Sequence, residues 1–243
     1  MPYRKEEFIN GEIYHVMMRA LDNNLIFKND DDYYRGIFSI YEFNNTISTE
    51  IWLRRKKRKK EKELEKALGG PSSQHSQQMK RDKMVDVLAF CLMPNHIHLL
   101  LKQLTDNGIT KFMAKVGTGY AGYFNRKYNR KGYVFQNRFS SVHIKDDNQL
   151  KIVFTYIHTN PVSLIEPNWK ELGVKDSEKA IKFIEEYKWS SYPDYINKKN
   201  FPSVTERTFI SGIMGGEQGI RDAIKNWIMH KKELSEFDNL FLE

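Results

Sequence analysis

Two apolar runs joined by a single tight turn constrain this chain more than any other feature. Val85–Met93 and Ile97–Leu101 flank Pro94-Asn95, a residue pair suited to chain reversal. They read as an antiparallel hairpin in the middle of a sheet. The rest of the chain must supply elements that cover it.

The flanking segments supply them. Residues 11–20, GEIYHVMMRA, are aliphatic and aromatic after Gly11 and predict a first strand. Asp30 to Asp32 would cap a helix whose apolar positions Tyr34, Ile37, Phe38, Ile40 and Tyr41 follow helical spacing. Ile109 to Arg130 predicts a helix broken or bent near Gly117 and Gly119, and residues 132–144 return to strand character. Asp147 to Asn160 predicts a further helix, ended by Pro161. The order strand, helix, two strands, helix, strand, helix is the split βαβ pattern of a ferredoxin-like α+β sandwich with an antiparallel central sheet. Residues 1–165 would form this domain. Residues 166–243 would form a helical C-terminal extension, strongest near 218–234.

Several classes are excluded. The longest uninterrupted apolar run, Val87 to Met93, is far short of the ~20 residues of a membrane helix. The opening MPYRKEEFING has charges with no apolar stretch behind them, so no secretory signal is visible and a cytoplasmic location is expected. Cys91 is the single cysteine, which excludes a disulfide framework and a Cys-rich zinc site. Formal charge is +8, from 39 Lys+Arg against 31 Asp+Glu, which is compatible with nucleic acid as partner. Much of that excess is one unbroken basic run, Arg54 to Lys60, inside a charged helical stretch that runs from Ser48 to Leu68. Gly69-Gly70-Pro71 and SSQHSQQ (72–78) follow, so residues 48–84 read as a solvated insertion. The run suits either a solvated face or a phosphate-binding arm.

Two groups of residues can carry chemistry. His96 and His98 lie two apart on a strand, so both imidazoles project from one face, where neutral imidazoles can ligate a divalent cation. Tyr156 and Asn160 lie one helical turn apart. A phenol is a nucleophile and an amide oxygen a hard ligand. The same spacing also fits a core aromatic and a C-terminal cap before proline. His158 falls on nearly the opposite helix face from Tyr156. Between these groups, residues 119–139 interleave aromatics with Arg126, Lys127, Arg130, Lys131 and Arg138, a pattern suited to a single strand whose bases stack while its phosphates meet cations.

Taken together, YHVMMRALDNNLIF (14–27), LMPNHIHLLL (92–101), YFNRKYNRKGYVFQNRF (123–139) and YIHTNPV (156–162) resemble the single-tyrosine HUH transposases, most closely the REP-associated tyrosine transposase branch. The resemblance spans about residues 8–165. It implies His96, His98 and Asn160 as ligands of Mg²⁺ or Mn²⁺, with Tyr156 as nucleophile on single-stranded DNA beside a hairpin or inverted repeat. A 5′-phosphotyrosine intermediate and a nucleoid-associated cytoplasmic protein follow from the same likeness. Arg19 and Arg138 are expected phosphate contacts, and His15 is expected to be structural. The resembled group includes dimers and monomers, so a homodimer stays open. The insertion at 48–84 is longer than the family's connection there. KWSSYPDY (188–195) suggests packing anchors in Trp189 and Tyr192. A DNA-hairpin-binding regulator that has lost efficient cleavage, and a metal-dependent hydrolase using water, are the competing readings.

Overall fold

The computed structural model describes residues 7–46, 81–136 and 138–230, with Lys60 and Glu63. Apart from those two and the short stretch 81–84, the expected insertion and its basic run lie outside the described residues. The elements in order are β1 (Ile13–Arg19), α1 (Asp30–Glu42), β2 (Val85–Met93), β3 (His96–Gln103), α2 (Gly108–Lys127), β4 (Ser140–Ile144) and α3 (Asp147–Thr159). A 3-10 turn, Asn160–Leu164, leads into α4 (Trp169–Leu172), α5 (Ser177–Glu186), α6 (Tyr192–Tyr195), α7 (Thr208–Met214) and α8 (Gly216–His230). The sheet is antiparallel throughout, in the order β2-β3-β1-β4. This is the split βαβ arrangement.

The hairpin forms as the apolar runs require, but only β3 is an inner strand; β2 is at the edge. Pro94 O accepts the Ile26 and Phe27 N–H groups, and Asn95 O accepts that of Ala20, which ties the turn to the loop after β1. β3 is buried on both faces from His96 to Leu101. Met18 and Leu92, on one face, meet Gly117 of α2 and Gly36 of α1. His15 and His98, on the other face, meet Tyr156 of α3.

Local signals differ from expectation at three places. Asn29, not the aspartates, caps α1, accepting the Asp32 N–H at 3.3 Å. Asp30 to Asp32 fill the first turn, where the helix dipole favours them. α2 runs through Gly117 and Gly119 without a break. A Cβ on Gly119 would overlap the Phe43 ring, so glycine there permits close packing of α1's end on α2. Among the described residues of 132–144 only β4 is a strand, preceded by a single bridge from Phe135 to Ala20.

The segment beyond residue 165 covers the free edge of β2. Trp189 O accepts the Leu92 N–H at 2.9 Å, Ser191 N donates to Phe90 O at 3.0 Å, and Glu206 N donates to Val87 O at 2.9 Å. Trp189 stacks on Tyr33 at 4.6 Å between centroids, and Tyr192 is buried. Both are anchors. Trp169, Ile184, Ile220 and Trp227 share one continuous core with the sheet.

Behind the sheet, Asp32 ties α1 to α2. Its fully buried carboxylate accepts from Lys127 Nζ at 2.7 Å, Tyr128 OH at 2.6 Å, Tyr123 OH at 2.9 Å and Lys28 N at 3.0 Å. Burial alone would raise its pKa; the bonds from Lys127, Tyr128, Lys28 and Tyr123 outweigh it and hold the carboxyl below its usual value. Folding therefore favours the ionised form. The resulting stability is present at neutral pH and is lost as pH falls through the folded-state pKa. Asp32→Ala should cost about 3 kcal/mol at pH 7 in urea unfolding, because it strands the donors around it. A loss below about 1 kcal/mol would show the network to be energetically idle.

Candidate active site

Alternation along β3 sets the first part of the site. His96 and His98 point to the face covered by α3, and the register places Arg19 opposite His96 and Met17 opposite His98 on the neighbouring strand β1. Their rings stand edge-to-face with centroids 4.7 Å apart. His96 Nδ1 lies 2.6 Å from Asn95 Oδ1. An amide oxygen only accepts, so Nδ1 carries a proton and donates to it.

His98 is fully buried and His15 holds it. His15 Nε2 and His98 Nδ1 share a hydrogen bond of 3.0 Å, with the rings stacked at 5.2 Å. His98 Nε2 is buried and has no hydrogen-bond partner among the described residues. Burial, and then the nearby charges of His96, His15, Lys170 and Arg19, push the His98 pKa well below its usual value. The imidazole is therefore neutral, as a ligand must be.

The second part comes from α3. Asp146 caps the helix by accepting the Gln149 N–H at 2.8 Å, and the chain leaves it at Asn160-Pro161. Tyr156 is buried, its ring edge-on to His98 at 5.6 Å and to His15 at 5.8 Å. Asn160 follows one turn later. Its Nδ2 donates to Tyr156 O at 3.1 Å, which is the capping role, while its Oδ1 accepts from Lys170 Nζ at 3.1 Å. Lys170 Nζ also stands 5.0 Å from the centroid of the Tyr156 ring. His158 turns away, bonded to Ser191 Oγ at 2.8 Å, its pKa lowered to about 3 by burial.

The donor set fits a divalent cation. It offers two imidazole nitrogens, that of His98 buried, neutral and unpartnered among the described residues, and, one turn along α3 from the Tyr156 ring that meets His98, the amide oxygen of Asn160, which here accepts from Lys170. It does not include three His, Cys, Asp or Glu together; no such cluster occurs among the described residues.

The expected DNA contacts divide. Arg19 lies on the His96 face, its Nε buried and its Nη2 3.9 Å from Met17 Sδ. Arg138 is exposed, two residues before β4, close to where Gln136 N donates to Arg19 O at 2.9 Å. Arg126 and Lys127 belong to α2, across the sheet from Tyr156, and Arg130 and Lys131 are exposed in the loop after it. Lys127 is engaged by Asp32, and the Arg130 guanidinium lies 5.5 Å from the Phe124 ring. One residue of the site escaped the sequence reading: nothing in spacing singles out Lys170. His15, expected to be structural, bonds His98 from behind.

Residues 44–160, which include both histidines, Tyr156 and Asn160, match the family of IS200-like transposases. No curated protein matches the chain. A solved REP-associated tyrosine transposase bound to a REP hairpin is 13% identical, covering 86% of this chain and 96% of its own, with a TM-score of 0.48. A candidate transposase from Deinococcus radiodurans R1 is 11% identical, covering 63% of this chain and 93% of its own, with a TM-score of 0.32.

His15 holds the His98 ring through Nδ1 and leaves Nε2 unpartnered among the described residues, as a residue behind a ligand would. His15→Leu should therefore weaken Mn²⁺ binding about tenfold in isothermal titration calorimetry. An unchanged affinity would reduce His15 to a core residue.

Proposed function

We propose that this chain, whose residues 44–160 match the family of IS200-like transposases, is a transposase that nicks and rejoins single-stranded DNA through Tyr156. One observation carries this reading: the Tyr156 ring lies edge-on to His98, with His96 beside it and Asn160 one turn away. His96, His98 and Asn160 would hold Mg²⁺ or Mn²⁺. When bound, such an ion supplies Lewis-acid polarisation of a phosphate oxygen.

The chain's own residues do the rest. Tyr156 Oη gives up its proton and bonds to phosphorus, while the bond from phosphorus to the 3′-oxygen breaks and that oxygen takes up a proton. The products are a free 3′-hydroxyl and a 5′-phosphotyrosine ester. One ester replaces another, so a later 3′-hydroxyl can reverse the step on a different strand without ATP. Burial of Tyr156 keeps water from hydrolysing the ester. A flexible single strand can reach a recessed tyrosine where a stiff duplex cannot, so the substrate is single-stranded, beside a hairpin or inverted repeat. Arg19, on the histidine face, and Arg138, two residues from the Gln136 whose N–H bonds Arg19 O, would meet its phosphates. The proposed nucleophile and metal ligands all fall within residues 1–165, the expected catalytic domain.

End-labelled single strands on a denaturing gel test the reading. Protein attached to the 5′ end of the downstream fragment supports it. Two free fragments mean that water is the nucleophile, and no cleavage across varied hairpins means a binding protein. Tyr156→Phe should abolish the covalent product while hairpin binding persists. Tyr120→Phe and Tyr123→Phe should retain it, because those hydroxyls bond Ile26 O at 2.6 Å and Asp32 Oδ1 at 2.9 Å, across the sheet. An adduct from Tyr156→Phe would sink the assignment. Asn160→Ala should lower cleavage and raise the Mn²⁺ concentration needed, since two imidazoles remain.

A further inference from the structure

The segment after the family-matched stretch brings a cation to Tyr156. Lys170 lies ten residues beyond Asn160, in the short helix α4. Its neighbour Trp169 is buried at 1% exposure, and Gly173, at a φ of 82° that favours glycine, closes the helix by donating its N–H to Trp169 O at 2.9 Å. The lysine backbone is thus fixed on both sides. Its Nζ reaches Asn160 Oδ1 at 3.1 Å and stands 5.0 Å from the Tyr156 ring centroid.

Besides Arg19 on the histidine face, the other groups around the proposed nucleophile are imidazoles and an amide, and Lys170 is the cation that stands against the Tyr156 ring itself. A phosphodiester arriving there is an anion, and its non-bridging oxygens gain charge as Tyr156 Oη approaches phosphorus. A lysine on a four-carbon stem can follow such an oxygen, and a charge-assisted bond to it is stronger than one to a neutral amide. Resting on the proposed reading of Tyr156, we propose that Lys170 is a further catalytic residue, its ammonium binding a non-bridging oxygen of the phosphodiester that Tyr156 attacks. Between turnovers it rests on Asn160. It neither gives nor takes a proton. The C-terminal extension then completes the active site as well as packing against it.

The test uses the full chain. Cleavage by the wild type in Mn²⁺ first maps the scissile linkage on a synthetic hairpin-bearing strand. Two such strands are then compared in EDTA by fluorescence anisotropy, one with a phosphodiester at that linkage and one with an uncharged methylphosphonate. Wild type should favour the charged linkage about fivefold. Lys170→Met and Lys170→Gln should bind both strands alike, and Lys170→Arg should keep the preference. At saturating strand in Mn²⁺, the rate of adduct formation should fall at least about tenfold in the uncharged variants and recover in Lys170→Arg. Because Gln retains a donor for Asn160, a purely structural lysine would leave Lys170→Gln like wild type. That result, with linkage preference and adduct rate within about twofold of wild type, overturns the inference and leaves the Tyr156 reading intact. A wild type that forms no adduct on any strand overturns both.

Discussion

Burial of β3 on both faces is the constraint from which the rest of the structure follows. A strand covered by α1 and α2 on one side and α3 on the other has no solvent face on which to place polar groups. Its alternation then sorts Ile97, Leu99 and Leu101 to one apolar layer and His96, His98 and Leu100 to the other. Two imidazoles in that position are tolerated only because the fold supplies partners for their Nδ1 atoms, Asn95 and His15. The hairpin turn and the first strand are therefore part of the site as well as of the sheet.

Desolvation decides what this cluster is. With the rings withdrawn from water and cations on Arg19 and Lys170 nearby, protonation of His98 is disfavoured, so the imidazole is a lone-pair donor. Contrast the opposite side of the sheet, where the buried charge is a carboxylate and Lys127, Tyr128 and Tyr123 converge on it. There the charges compensate one another and hold helices together. Lys127, in a sequence block that resembles a DNA-contacting stretch, is engaged in that network.

The C-terminal segment has two structural consequences. An edge strand as apolar as β2 is a site for pairing with another chain unless something covers it. A hydrogen bond accepted by Trp189 and two donated by Ser191 and Glu206, with Trp189 stacked on Tyr33, cover that edge. The same segment brings α4 against the end of α3, so Lys170 meets Asn160 and Tyr156. No helix among the described residues is long and apolar enough to cross a membrane.

Features that depend on neighbours in the sequence were legible without a structure. The hairpin at Pro94-Asn95, the common face of His96 and His98, and the turn from Tyr156 to Asn160 follow from strand and helix periods, which are local. The order of elements gave the split βαβ fold for the same reason. What depended on contacts distant in sequence was not legible. Position in the sheet made β2 an edge strand and β3 an inner one. Packing against Phe43 made Gly119 a close approach and not a break. Only the fold joined His15 to His98 across 83 residues and took Lys127 to Asp32 across 95. Nor does any periodic pattern link Asn160 to Lys170, since a 3-10 turn and a loop intervene, and packing of Trp169 into the core sets where the lysine sits.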